Sequence, residues 1–235
     1  MLVETAAAGA CAAWFMAWAV RGRSSQVFGK SIWRGPRGRR SLAWTFDDGP
    51  SETTPELLDL LSRLGIRATF FLSGAAVERL PEVARAVRDA GHEIGSHGYS
   101  HAPLYLRSPA FVVAELERAQ RAIQAVTGVR PALYRPAYGC RWFGLRAAQS
   151  RLGVTTVMWT VLAPDWEWPG GRVAARLAGR ASNGAILCLH DGRELAPNAG
   201  IGPTLEAVRL SAPELARRGF RFETVSELLG PATAR

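Results

Sequence analysis

From residue 41 onward, short apolar runs rich in Thr, Val, Phe and Trp alternate with longer stretches of helical character. The strand-like runs fall at 42–46, 68–72, 93–96, 132–134, 155–161, 185–189 and 221–224, each brief and bounded by turn residues. Helices are expected at 55–64, 75–90, 109–126, 145–152, 172–181 and 203–218. Gly65, Gly91, Gly128, Gly153 and Gly219 follow such stretches, where a left-handed cap ends a helix. Repeated strand–helix units force the strands parallel, because each returning helix carries the chain back to the same end of the sheet. About seven such units make an α/β fold whose sheet closes, or nearly closes, into a barrel. No repeat, low-complexity tract or linker interrupts 41–235, which reads as one domain.

Residues 1–40 read differently. An apolar run at 6–20, AAAGACAAWFMAWAV, is followed by Arg21, Arg23 and the basic segment through Arg40. The run is shorter than the ~20 residues that span a bilayer, and no basic residues precede it as they would in a signal peptide. It is a candidate membrane anchor, ahead of a cleaved signal, with an amphipathic helix packed on the domain as the further alternative. As an anchor, with its arginines following, it favours a cytoplasmic catalytic domain; the side, cytoplasmic face or cell envelope, stays open. The net charge of +9 attracts anions. A basic collar beside an apolar run suits anionic headgroups better than a base-reading surface, and no nucleic-acid partner is expected. The plainer reading, a solvated basic face, fits most of the arginines equally well. Three cysteines, Cys11, Cys140 and Cys188, are odd in number and lack metal spacing, so no disulfide framework is implied.

Five segments carry chemistry. Asp47 and Asp48 leave the first strand in the sequence TFDDGPS, where a sharp turn lets neighbouring carboxylates point apart. Asp-Gly-Pro is also good turn chemistry unaided. His97 and His101 stand four residues apart, a spacing that one turn of helix would gather on one face for a cation. An isolated pair of this spacing is often two unrelated histidines. Two histidines with one carboxylate leave open positions for water and substrate. His190 leaves the apolar strand LCLH and is placed to donate a proton, although a lone histidine there is often a satisfied core group. Arg135 in RPAYG and Asp165 in DWEW, each at a strand end, are able to fix the charge state of a catalytic acid or base. Their plainer readings are a surface ion pair and aromatic packing.

Taken together and in this order, the five segments resemble the polysaccharide deacetylase family (carbohydrate esterase family 4, the NodB-like domain) over about residues 41 to 229. T-F-D-D-G-P followed about fifty residues later by H-x-x-x-H is the specific pair. The resemblance implies a distorted (β/α) barrel and removal of an N-acyl group, usually acetyl, from amino sugars. It implies Asp47 as general base and Asp48, His97 and His101 as ligands of one divalent ion, with zinc first and cobalt, manganese or nickel as alternatives. Arg135 would tether Asp47, and Asp165 would orient and charge the general acid His190. Tyr138 would offer its backbone N–H to the oxyanion, and Pro136, Trp166 and Cys188 would shape the substrate site. Three departures stand out: Gly98 where the family has Ser or Thr, Cys188 where a Leu usually lines the acyl pocket, and Leu162 where an acidic residue is usual. The implied partner is an amino-sugar saccharide, as polymer, oligomer or lipid-linked sugar. Oligomeric state is not legible. The alternative functions are an inactive carbohydrate-binding domain of the same fold and a basic nucleic-acid-binding protein.

Overall fold

The computed structural model describes residues 2–230, with side chains from residue 9 onward. Met1 and 231–235, the latter counted in the catalytic segment above, lie outside the described residues, as do the side chains of 6–8 in the apolar run.

The chain opens with α1 (Leu2–Arg21) and a short strand β1 (Ser31–Ile32). There follow β2 (Ser41–Asp47), α2 (Thr54–Arg63), β3 (Thr69–Leu72), α3 (Gly74–Arg79), α4 (Pro81–Asp89), β4 (Glu93–Ser96), α5 (Pro109–Thr127), β5 (Leu133–Tyr134) and α6 (Leu145–Leu152). The second half comprises β6 (Thr155–Val157), β7 (Val161–Leu162), α7 (Gly170–Arg180), β8 (Ala185–His190), α8 (Gly202–Arg217), β9 (Arg221–Glu223) and α9 (Val225–Leu229). All strand pairs are parallel, in the order β1-β6-β5-β4-β3-β2-β8-β7, with β9 beside the first half of β2. The sheet curls into an open (β/α) barrel with helices outside, as expected.

The alternation of side chains along a strand decides what points where. On β2 and β8, Leu42, Trp44, Phe46, Leu187 and Leu189 pack outward into the main core beneath α2, α7 and α8. Thr45, Asp47, Cys188 and His190 therefore occupy the opposite, inner face, where Asp47 and Cys188 contact one another. α5 shows why the helices form where they do. Ser108 caps its first turn by accepting from Phe111 N–H, Pro109 sits at its start, and Gly128 closes it with φ 74°.

Four expectations are corrected. The helix expected over 75–90 is two helices, because Pro81 has no N–H to offer and pushes Leu80 out of helical conformation. The strand expected over 155–161 is also two. β6 pairs with β5 and β1, whereas β7 pairs with β8 at the other edge of the sheet. Residues 158–160 cross the barrel's seam between them, with Met158 N–H bonded to Ile32 and Thr160 N–H to Ile186. The basic stretch expected to be a plain linker contributes β1. Finally, α9 continues where only a final strand was expected, started by a Thr224–Glu227 capping box.

Among the described residues no helix is long and apolar enough to cross a membrane. The C-terminal end of α1 is docked: Ala19 and Val20 pack on Phe28 and Cys140. Buried Arg141 donates to the carbonyls of Val20, Gly22 and Ser25, satisfying groups that a helix end leaves bare. Trp14, Phe15 and Trp18, nearer the start of α1, stay exposed.

Candidate active site

Every expected site residue but Cys188, which lies inside β8, stands at or beyond the C-terminal end of a strand, the end where barrels of this kind carry function. Asp47 is the last residue of β2. His97 and Arg135 follow β4 and β5, His190 ends β8, and Asp165 stands three residues past β7.

The two adjacent carboxylates do diverge, because Asp48 takes φ 75° directly after extended Asp47. Asp47 Oδ1 accepts from the Arg135 guanidinium at 2.7 Å, and its Oδ2 faces the Cys188 thiol at 3.4 Å. Arg135 is wholly buried and has no slack. It also donates to Thr45 Oγ1 and to the carbonyls of Val157 and Met158, and its face stacks on Phe71.

Asp48 turns the other way. Its Oδ1 lies 3.2 Å from His97 Nε2 and 3.0 Å from His101 Nε2, with all three residues buried. His97 Nδ1 sits 2.8 Å from the Arg135 carbonyl, which only accepts, so Nδ1 carries a proton and Nε2 is the ring atom that faces the carboxylate. Lone pair against lone pair is repulsive unless something positive lies between. Asp48 Oδ1 is accordingly buried with no hydrogen-bond partner among the described residues. Burial pushes the Asp48 carboxyl up, but hydrogen bonds and charge from the His101 and His97 rings, when protons on Nε2 are what lies between, hold it well below the ordinary carboxylate range, and a cation in the same place acts in the same direction. Two imidazole nitrogens and an orphaned carboxylate oxygen within 4.8 Å of one another fit a divalent cation.

The two histidines do not share a helix, which corrects the expectation from their spacing. Residues 97–101 form a loop in which Gly98 and His101 take φ 87° and 56°. The residue holding that loop was not foreseen. Buried Glu115 on α5 accepts from Tyr99 N–H, Ser100 N–H and the Ser100 hydroxyl through one oxygen. A Cβ on Gly98 would stand 3.4 Å from that same oxygen, so Glu115 reaches the place where a side chain at 98 would help.

His190 keeps a fifth of its side chain exposed, and its Nδ1 lies 2.7 Å from Asp165. Asp165 also accepts from His190 N–H and the Thr204 hydroxyl. Burial alone lowers the His190 pKa, but the Asp165 charge and hydrogen bond, with Asp48 and Asp47 behind, raise it to about 9. The Trp166 ring stands edge-on to the imidazole. Asp191, the next residue, is buried with one oxygen on Thr54 and the other without a partner among the described residues. Burial pushes it up to about 7; the Thr54 bond opposes this, and Asp48 and Asp47 add to it.

A cleft of about 370 Å³ opens over these groups, lined by Asp48, His101, Tyr138, Trp166, His190 and residues 192–194. Tyr138, at φ 56°, packs edge-on to His101 and donates its hydroxyl to Glu194, another residue the sequence did not flag. Cys188 lies beneath the cleft against Asp47 and Arg135. Pro136 is buried at the base of the Tyr138 turn and does not line the cleft.

Fold and site together define an open (β/α) barrel with a cluster of two histidines and one carboxylate that could hold a cation, beside a separate carboxylate and imidazole. The polysaccharide deacetylase family pattern matches residues 34–157, and the chain belongs to that family, as the five segments indicated. The chain is 31% identical over 193 residues to the peptidoglycan-N-acetylglucosamine deacetylase PgdA of Listeria monocytogenes, aligning 81% of itself with 39% of that longer protein. It is 34% identical over 200 residues to a chitooligosaccharide deacetylase of Bradyrhizobium, covering 81% of this chain and 91% of that one. The Bc1960 peptidoglycan N-acetylglucosamine deacetylase superposes with TM-score 0.79 at 27% identity, over 84% of this chain and 92% of that one. BA3943 from Bacillus anthracis, a pseudoenzyme of the same esterase family, superposes with TM-score 0.77 at 25% identity, over 85% and 69%.

Proposed function

We propose that this protein is a metal-dependent hydrolase that removes N-acyl groups, acetyl first, from amino sugars in a saccharide. One observation carries the reading: Asp48, His97 and His101 converge on a single point, with Asp47 and His190 beside it at the same barrel end. Asp48, His97 and His101 would hold the cation. Their mixed imidazole and carboxylate set suits zinc first, then cobalt, manganese or nickel. The bound ion supplies Lewis-acid polarisation of the acyl carbonyl and a lowered water pKa.

The chain's own groups do the rest. Asp47, positioned by its 2.7 Å contact with the Arg135 guanidinium, takes a proton from the attacking water. An amine leaves an amide only when protonated, and His190, charged through Asp165, gives that proton from the Nε2 side. The Tyr138 backbone N–H stabilises the oxyanion, a contact whose loss typically costs ~3 kcal/mol. Trp166 walls the sugar groove, and Cys188 sets the depth of the acyl pocket.

The names of the relatives favour N-acetylglucosamine polymers; α1 and its arginines favour a membrane-associated protein and keep a lipid-linked sugar among the substrates. Retention of both Asp47 and His190 argues against an inactive binding domain, which needs neither. The deciding experiment is acetate or formate release from a panel of peptidoglycan, chitooligosaccharide and lipid-linked substrates with added Zn²⁺ or Co²⁺. Asp47→Asn is expected to abolish turnover while metal remains bound. Wild-type inactivity across the panel, or full activity of Asp47→Asn, refutes the reading.

A further inference from the structure

Away from the catalytic cleft, a second cavity of about 370 Å³ sits at the barrel's seam, lined by Arg23, Trp33, Arg34, Thr160, Val161, Arg176 and Arg180. It shares no lining residue with the cleft. The seam explains how it arises. β1 and β7 are the two ends of the sheet and do not pair, so the residues flanking them, Trp33 and Thr160, meet side by side. The Thr160 hydroxyl closes on the Trp33 carbonyl at 2.8 Å, and Arg23 donates to the Thr160 carbonyl. α7 supplies Arg176 and Arg180 from one helix face, four residues apart.

Four guanidiniums surround this space and no carboxylate lines it. Among the described residues none of the four forms an ion pair, although six carboxylates elsewhere on the surface pair with an arginine. What they do hold are carbonyls, which engage one or two N–H groups each and cancel no charge: Arg34 on Asn183 at 3.4 Å and Arg176 on Leu162 at 2.7 Å. Arg34 Nε is buried with no hydrogen-bond partner among the described residues. Burial, then Arg37 and Arg23 nearby, hold the Arg34 guanidinium below its ordinary range. Arg23 and Arg34 both stack near the Trp33 ring, which makes one wall apolar and limits how far water can screen the charges. A solvated basic face spreads its arginines outward; this set is gathered round one hole.

We propose that the seam cavity is a binding site for a phosphate-type oxyanion. Several planar forks on one multiply charged, tetrahedral oxyanion make parallel charge-assisted hydrogen bonds, which a single carboxylate cannot match. The phosphate has two sources with the same chemistry. One is a soluble phosphate or phosphate ester. The other is a phospholipid headgroup, since Arg23 stands two residues beyond α1, whose Trp14, Phe15 and Trp18 are exposed. The inference does not depend on the deacetylase reading, because binding alone tests it.

The test is calorimetric titration of the full chain with inorganic phosphate, beside flotation with phosphatidylglycerol and phosphatidylcholine vesicles. The variants are Arg180→Gln, exposed and without a side-chain partner among the described residues, the Arg34→Gln/Arg180→Gln pair, and Arg85→Gln as an exposed control outside the cavity. Circular dichroism establishes that each is folded. Saturable one-to-one phosphate binding, weakened severalfold in Arg180→Gln and at least tenfold in the pair but unchanged in Arg85→Gln, supports the site. If vesicle binding ignores these variants, the ligand is a soluble phosphate. Phosphatidylglycerol binding that follows the variants and is competed by phosphate makes it a headgroup. Binding that is absent, or weakened no more by the cavity variants than by Arg85→Gln, overturns the proposal.

Discussion

Asp165→Asn isolates the part of the mechanism that rests on charge rather than shape. The amide keeps the size of the carboxylate, and its oxygen still accepts from His190 N–H and Thr204, so the loop past β7 stays in place. What is lost is the negative charge on His190 Nδ1, which holds the imidazole at about 9. Burial then acts unopposed by that partner and takes the ring to or below the ordinary ~6.5. At pH 8 the protonated fraction falls from about nine-tenths to about 3%, roughly a thirtyfold loss of competent acid. Those two bonds occupy Oδ2, so the new N–H₂ stands at Oδ1 facing Nδ1, and protonating the ring then sets donor against donor; the loss extends toward the roughly 10⁴ in kcat that the same Asp-to-Asn change costs a Ser–His–Asp triad. The expected loss at pH 8 is therefore between about thirtyfold and 10⁴-fold, shrinking toward pH 6 where the ring is protonated in either protein. The sign is that of an acid: activity is present below the His190 pKa and lost as pH rises through it. A cation on Asp48 offsets part of what Asp48 and Asp47 add, so the wild-type alkaline limb belongs at or below about 9. The assay is kcat and kcat/KM for acetate release from pH 5.5 to 10 at saturating metal. An alkaline limb that does not move to lower pH, or a loss equal at all pH values, refutes the assignment of His190 as the acid charged by Asp165.

Three other outcomes are expected. Glu115→Gln weakens metal affinity about 10- to 100-fold, as loss of a ligand-orienting partner does, while turnover at saturating metal stays near wild type; chelator-competition titration measures it, and unchanged affinity would show the loop needs no such tie. Arg135→Met strands the Asp47 charge in the interior and lowers stability by about 3–5 kcal/mol in denaturant unfolding, with part recovered by adding Asp47→Asn. Cys188→Leu refills the acyl pocket and shifts kcat/KM from propionyl toward acetyl substrates about tenfold, the worth of a misplaced methylene; an unchanged ratio would place Cys188 outside that pocket.

The candidate site was legible to an unusual depth because its members mark strand ends, and a strand end is a local feature. Asp47 and His190 close apolar strands, and His97 and Arg135 follow short ones, whose alternation also fixes which face each occupies. Glu115 carried no such mark. It lies in the middle of α5, where a glutamate ordinarily faces water, and only the approach of the 97–101 loop turns it into a tie. The break of the expected strand at 158–160 was equally hidden, since an apolar run looks the same whether it stays on one sheet edge or crosses to the other.

By itself the sequence determined the parallel strand–helix order, the barrel end where chemistry gathers, and the residue types available there, because all three follow from short-range periodicity and turn chemistry. Only the tertiary structure decided that His97 and His101 meet across a loop rather than along a helix, that Arg141 clamps the end of α1, and that arginines from 23, 34, 176 and 180 surround one seam. The last of these depends on where an open sheet leaves its two edges. That is a property of closure geometry, to which residues more than a hundred positions apart contribute together.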